Sequence, residues 1–375
     1  MDQANMGMKG LLIVGGGAET IPGVQIAKDM GLHVVMSDKD LDCPCRTLAD
    51  GFLHASTYDT AKTVDAAQTY HNCVHPLHGV LSIGTDTPKT VASVATWLKL
   101  PSTVTPWTAD FCCDKVWMKD QMRKHGVSTP WYRGITKISD LDEVYQKATN
   151  LLVIKPVDSR GARGVIRLLP KVDIQWAYLE ALQHSHVKRL IVEQWVEGQQ
   201  ISTEGLVVQG VYHHVATVDR NYARLDEFTP YVIEDGGSQP TILSNSMVEQ
   251  VIEQLRRAAL GIDHKNGVLK GDVVTYAGKA YVIEVAPRLS GGYMSTTQMP
   301  LATGVPLVEL AIRQALGEQL DLAVLRPKWH KGVAIRYTFP QKPTSHPERG
   351  QHFIATADTA LEAIAEAERL VRESH

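Results

Sequence analysis

Two acids and an arginine in the last third of the chain have the types and spacing of a phosphate-handling site. "GVLKGDVVTY" (267–276) and "KAYVIEVAP" (279–287) are strand-like runs joined by a turn at Gly278, and each carries one acid in apolar company, Asp272 and Glu284. Antiparallel pairing about that turn sets the two carboxylates at opposing positions, where a divalent cation relieves their repulsion most simply. Oxygen-only ligation favours Mg²⁺ or Mn²⁺, which keep waters and lean on substrate phosphates. Directly after Glu284, "VAPRLSGG" adds Arg288 and a small-residue loop, Ser290, Gly291 and Gly292.

Two further stretches suit a nucleotide. In "VIKPVDSRGARGV" (153–165), Lys155 closes an apolar strand and a loop with Ser159, Gly161 and Gly164 follows, flanked by Arg160 and Arg163. Small residues let main-chain N–H groups converge on phosphate oxygens, although the order is not that of a Walker A loop. In "IVEQWVEGQQISTEG" (191–205), a strand ends at Glu193, Trp195 and Val196, where main chain can meet an adenine edge under an apolar cover. Taken singly, each stretch also reads plainly: solvated strand-end acids, a hairpin turn with solvated arginines, a strand–turn–strand junction.

The elements that must position these groups fall into three texts. The N-terminal third alternates strand and helix: "GLLIV" (10–14), an amphipathic run over 21–30, "LHVVMSD" (32–38), "GVLSIGTD" (79–86) and a helix over 88–98. That order predicts an α/β domain with a parallel, Rossmann-like sheet. From Thr108 a lysine- and aromatic-rich helix, "DKVWMKDQMRKHG" (114–126), leads to a helix over 139–149 and to strands "LLVIKP", "VIRLL" and "LIVEQWV". Strands then dominate 200–219, a helix spans 244–260, the acid-bearing hairpin follows, and the tail offers a strand (332–338), a Pro-rich loop (340–347) and an amphipathic helix (358–373).

Bulk composition narrows the classes. The chain has 375 residues, a formal charge of −3 and 44% hydrophobic residues, ordinary for a soluble enzyme and against a general nucleic-acid or membrane-surface binder. No apolar run approaches a bilayer span, and the start lacks the basic-then-apolar order of a signal peptide. Five cysteines, an odd number, point to reduced thiols and a cytoplasmic location. Cys43, Cys45, Cys73, His75 and His78 lack zinc-ligand spacing and read as loop and core residues.

In their order along the chain, the lysine-bearing helix, the Lys155 strand with its glycine loop, the Glu193-x-aromatic-aliphatic hinge and Asp272…Glu284-x-x-Pro-Arg resemble the ATP-grasp superfamily over nearly the whole length. The likeness is to the branch with biotin carboxylase, carbamoyl-phosphate synthetase domains and L-amino-acid ligases. It implies a pre-ATP-grasp domain over 1–108, a small lobe with a glycine-rich lid over 109–196 and a large lobe over 197–375. The tail is similar to the closing strand and helix of that branch, so a complete chain is expected.

The resemblance also implies roles. Lys115 and Lys155 match the phosphate-contacting lysines, and 159–164 the mobile lid. Glu193 fits the acceptor for the adenine amino group, Trp195 and Val196 the hinge, and Asp272 and Glu284 the magnesium ligands. Arg288 matches the arginine that neutralises the moving γ-phosphoryl group, and 290–292 the loop that holds the substrate carboxylate. Arg220 and Arg224 fall where an anionic acceptor group is received. Two positions depart: Ala286 replaces the asparagine that completes the metal site, and Gln200 stands for a ribose-binding glutamate, with Glu204 as an alternative. The implied activity is an ADP-forming ligation through an acyl phosphate, using ATP and Mg²⁺ (or Mn²⁺), a small-molecule carboxylate and an amine, in a homodimer. Competing readings are a carboxylase that activates bicarbonate, a non-catalytic ATP-binding protein, and an NAD-dependent oxidoreductase built on Gly15-x-Gly17 with Asp38 as its ribose acid.

Overall fold

The computed structural model describes residues 7–339 and 349–374, so the Pro-rich stretch expected at 340–347 lies outside the described residues. The N-terminal part holds β1 (Gly10–Val14), α1 (Ile21–Asp29), β2 (His33–Asp38), β3 (Gly51–His54), α2 (Thr60–Cys73), β4 (Leu77–Leu81) and α3 (Pro88–Trp97). Its four strands run parallel in the order β3-β2-β1-β4. Strand alternation divides β1 between two cores: Leu11 and Ile13 face α1, Leu12 and Val14 face α2 and α3. Burial on both faces explains its unbroken apolar run.

Two helices, α4 (Pro106–Cys112) and α5 (Lys115–Lys124), lead to the second sheet. The Asp114 carboxylate accepts from Val116 and Trp117 N–H, capping α5 and fixing where Lys115 begins. The second sheet comprises β5 (Tyr132–Ile135), β6 (Leu152–Pro156), β7 (Ile166–Leu168) and β8 (Leu190–Gln194), with α6 (Ile138–Lys147) and α7 (Ile174–Gln183) packed on it. Its order is β5-β8-β6-β7, antiparallel throughout.

The third layer contains β9 (Gln199–Val208), β10 (Val211–Asn221), β11 (Gly236–Gln239), α8 (Asn245–Gly261), β12 (Gly267–Tyr276), β13 (Lys279–Ala286), α9 (Met299–Thr303), α10 (Leu307–Ala315), β14 (Gly332–Tyr337), β15 (His352–Ala357) and α11 (Ala360–Glu373). Seven strands form one antiparallel sheet, β13-β12-β9-β10-β11-β14-β15. The β12–β13 turn has Ala277 and Gly278 both at positive φ, the two-residue geometry that matches strand twist.

The cores tie these layers together. Leu11 and Ile13 share one cluster with Leu206, Val218 and the α10 residues Leu307 and Ile312, so the parallel sheet and the large sheet close on common apolar ground. Phe111, Met118 and Met122 pack with Val251, Leu255 and Val285. The helices α4 and α5 therefore pack on the large sheet.

Candidate active site

Asp272 on β12 and Glu284 on β13 are register partners, directly opposite each other as the hairpin reading requires. Asp272 is engaged on both oxygens: Oδ1 accepts from Ser202 Oγ at 2.8 Å, and Oδ2 from Lys270 Nζ at 2.6 Å. Arg220 Nη1 lies 3.5 Å from Oδ1. Burial alone would push this carboxyl up, but Lys270 and Arg220 outweigh it and hold the group well below the usual carboxylate range. Glu284, whose side chain is 33% exposed, is also held down: desolvation would raise it, and Lys115 at 3.5 Å and Lys155 outweigh that.

The lysines arrive from two elements. Lys115, at the first turn of α5, donates to Ser159 O at 2.7 Å and so touches the lid. Lys155, at the end of β6, has Nζ 2.9 Å from Glu193 Oε1. The same oxygen lies 3.3 Å from Lys119 Nζ, one helical turn beyond Lys115. Lys119 is wholly buried, over the Tyr132 ring, with its Nζ lacking any aligned hydrogen bond. Burial brings its ammonium down to about 8, and Glu193 opposes that fall. Glu193, expected to read an adenine amino group, lines the cleft, with its carboxylate 2% exposed and its Oε1 facing the two lysines. Trp195 and Val196, just beyond the strand, do line the cleft.

The lid, 159–164, is folded toward the N-terminal domain. Arg160 stacks over Tyr58 at 4.5 Å and lies 3.4 Å from Asp86, whose other partner is Arg288 at 3.6 Å. Burial would raise Asp86, but Arg288 and Arg160 hold it low. Ser159 and Gly161 line the cleft, whereas Gly164, at φ +73°, has Pro156 and His184 against its Cα and anchors the loop from outside.

The small-residue loop after Arg288 differs from expectation in its main chain. Ser290 N–H donates to Glu204 Oε1 at 2.7 Å and Gly292 N–H to Glu19 Oε2 at 2.7 Å, so two amides expected to face a substrate carboxylate are taken by protein carboxylates. Ser290, Gly291 and Gly292 still border the cleft, with Ser290 Oγ buried and without a hydrogen bond. Glu204 is fully buried beneath this loop, also accepting from Ser295 Oγ, and so is not a ribose ligand; Gln200, two rungs away on β9, lines the cleft. Arg220 lines it too, its Nε 2.8 Å from Glu234. Arg224 does not: it pairs with Glu227 and stacks on Phe228.

Lys115, Lys155, Asp272, Glu284 and Arg288 thus border a single cleft of about 1040 Å³. Sequence reading missed Lys119, Lys270, Asp86 and Glu19. The first two carried a signal, since Lys119 is four residues from Lys115 on a helix and Lys270 two residues from Asp272 on a strand.

At the other glycine turn, the Asp38 carboxylate accepts from Gly16 N–H at 2.8 Å, and Cys43 Sγ lies 2.6 Å from where a Cβ on Gly16 would be. Asp38 and Cys43 thus crowd the Gly16 position of this turn, while Gly17 stays exposed. Cys45 N–H also binds Gly16 O at this end of β1, while His78 Nδ1 accepts from Gly10 N–H at the opposite end.

Residues 112–292 match the family model described as an ATP-grasp domain, and the chain carries an ATP-grasp domain. The carbamoyl phosphate synthase large chain of Clostridium botulinum is 23% identical over 218 residues, 56% of this chain and 19% of that protein. The alignment therefore spans about a fifth of that relative's length. Among solved structures, L-amino acid ligase from Bacillus licheniformis superposes with a TM-score of 0.77 at 19% identity over 96% of each chain. Biotin carboxylase from Campylobacter jejuni gives 0.75 at 14% identity, covering 96% of this chain and 90% of that one. These likenesses show the fold. No helix among the described residues is long and apolar enough to cross a membrane.

Proposed function

We propose that this protein is an ATP-dependent carboxylate–amine ligase. The observation that carries the reading is the convergence of three cations and two carboxylates on one cleft within an ATP-grasp domain. ATP lies between the two antiparallel sheets, its base against Trp195 and Val196 and its ribose near Gln200. Lys115 and Lys155 bind phosphate oxygens, and the lid excludes water. Asp272 and Glu284 suit a hard divalent cation, Mg²⁺ or Mn²⁺, which supplies charge neutralisation when bound.

A substrate carboxylate oxygen attacks the γ-phosphorus while the bond to the β,γ-bridging oxygen breaks, giving an acyl phosphate and ADP. Arg288 offsets the charge on the phosphoryl group in flight. The amine nitrogen then attacks the acyl carbon, phosphate leaves with the bonding pair, and the nitrogen proton passes to phosphate or water. Arg220 lies where it can receive an anionic group on the acceptor. A cytoplasmic location and a homodimeric assembly are expected, the latter checked by sedimentation.

The test is phosphate release across pairs of small carboxylates and amines, with Glu284→Ala as control. The expected result is a pair-dependent turnover that falls at least about a thousandfold in the variant, whose thermal unfolding stays cooperative. Turnover that survives in Glu284→Ala would remove the metal assignment. ADP formation with no pair would remove the ligase reading.

A further inference from the structure

The residues around Asp272 fit one metal ion better than two. β12 and β13 pair Asp272 with Glu284 and, one rung on, Lys270 with Ala286. Strand alternation puts all four side chains on the same face. They make a small square, with two carboxylates in one row and a lysine opposite a methyl group in the next. An asparagine at 286 would bring an amide oxygen to that corner. Alanine brings none, and the lysine has the space to itself.

Lys270 uses that space to reach Asp272. Its Nζ lies 2.6 Å from Asp272 Oδ2, and the residue borders the cleft beside Glu284 and Arg288. The neighbouring carboxylate on β9, Glu204, is the register partner of Lys270, yet it is spent on Ser290 and Ser295. Asp272 Oδ1 is occupied from the far side by Ser202 and faced by Arg220. A second cation bridging Asp272 would have to displace an ammonium already at contact distance, and it would find no third oxygen ligand at position 286. Among the described residues no group of three or more His, Cys, Asp or Glu side chains converges on a metal position.

We propose that Lys270 is a fixed cation standing in place of a second metal ion, so that the site takes one divalent ion with the nucleotide. This rests on the ligase reading only in requiring that ATP and a metal enter this cleft. The lysine and the alanine form a matched pair: position 286 offers no side-chain oxygen to a second ion, and the positive charge that ion would bring comes from a side chain on the opposite strand. Such an ammonium needs no free metal, so the enzyme saturates at one Mg²⁺ per ATP rather than demanding an excess.

Mn²⁺ counting tests this without turnover. Free Mn²⁺ is followed by electron paramagnetic resonance during titration of the full chain saturated with β,γ-methylene ATP, whose binding is measured by calorimetry in the same sample. One bound Mn²⁺ per wild-type chain is expected, and two in the double variant Lys270→Ser with Ala286→Asn. Two ions on the wild type would overturn the proposal while leaving the ligase reading intact. One ion on the double variant, with its cooperative unfolding preserved, would also overturn it, because the lysine would not be what excludes the second ion. If the variant fails to fold, the wild-type count still decides. Analogue binding with no Mn²⁺ would remove this proposal and the metal assignment together.

Discussion

Two glycine turns, after β1 and after β13, are put to different use, and of the two only the second borders the large cleft. At Gly16, after β1, the buried amide is capped by Asp38 and the space above it is filled by Cys43. At Gly291 and Gly292, after β13, a carboxylate also takes an amide, Glu19 on Gly292, and a Cβ on Gly291 would lie 2.6 Å from Glu19 Oε2. The surroundings differ. The second turn opens onto the large cleft, beside Arg288, Glu284 and Lys270, while Gly15, Gly16 and Gly17 of the first do not border it. A glycine turn allows close approach to main chain. Whether a ligand uses that freedom depends on which side chains have already done so.

The sharpest way to break the comparison is at the open turn. Among the described residues Arg288 has Asp86 as its ion-pair partner in the cleft, and its Nε is buried without an aligned hydrogen bond. Arg288→Ala should lower kcat by about 10²–10³-fold, as loss of one transition-state donor does, with little change in the KM for ATP. Asp86 then loses one of its cations, so the acid side of the pH profile should move to higher pH. Single-turnover phosphate release would measure the first effect and a pH–rate curve the second. A variant within about threefold of wild type would leave the second turn no more functional than the first.

These contrasts mark what the sequence could and could not tell. The Asp272–Glu284 pairing was legible because two period-two runs joined at Gly278 fix their own register. The parallel sheet was legible from alternating strands and helices. The direction of Glu193 was not. It lies on a strand flanked by apolar residues, and only the packing of α5 brings Lys119 to its carboxylate. Glu204 misled for the opposite reason: it shares a strand face with Gln200, but two rungs carry it under the Ser290 loop and out of the cleft. The attachment of α4 and α5 to the large sheet was equally hidden, since an amphipathic helix does not say which sheet its apolar stripe will meet.

A smaller effect is expected from Lys119→Met, which removes charge while keeping length. With Lys119 charged, Glu193 is shared and holds Lys155 less tightly; without it, Lys155 is drawn away from phosphate. The KM for ATP should rise about tenfold, equivalent to ~1.4 kcal/mol. The wild type should show the same loss as pH climbs past the Lys119 value of about 8, and the variant should be flat. Stability moves the other way. The folded value lies below the unfolded one, so the native state holds fewer protons in that window, and wild-type stability rises with pH from about 8 towards 10.4. Nucleotide affinity and urea unfolding measured across pH 7–10 separate this from a merely structural role, which would lower affinity without flattening its pH dependence.

The mildest change belongs to the first turn. Asp38 takes the N–H of Gly16 and that of Asp40, so it ties β1 to the segment after β2. Asp38→Ala leaves the Gly16 amide beneath Cys43 without a partner. The cost should be about 1–3 kcal/mol, the penalty of a buried donor left unmade. It should appear as a lower urea midpoint with an unchanged slope. Turnover should stay within about twofold, because Asp38 is not among the described residues that line the cleft. A dinucleotide site would behave differently: Asp38 would be the ribose acid, its loss would abolish NADH binding, and the wild type would bind NADH tightly. Tight NADH binding by the wild type, lost in Asp38→Ala, would make the first turn a site as well and dissolve the contrast between the two.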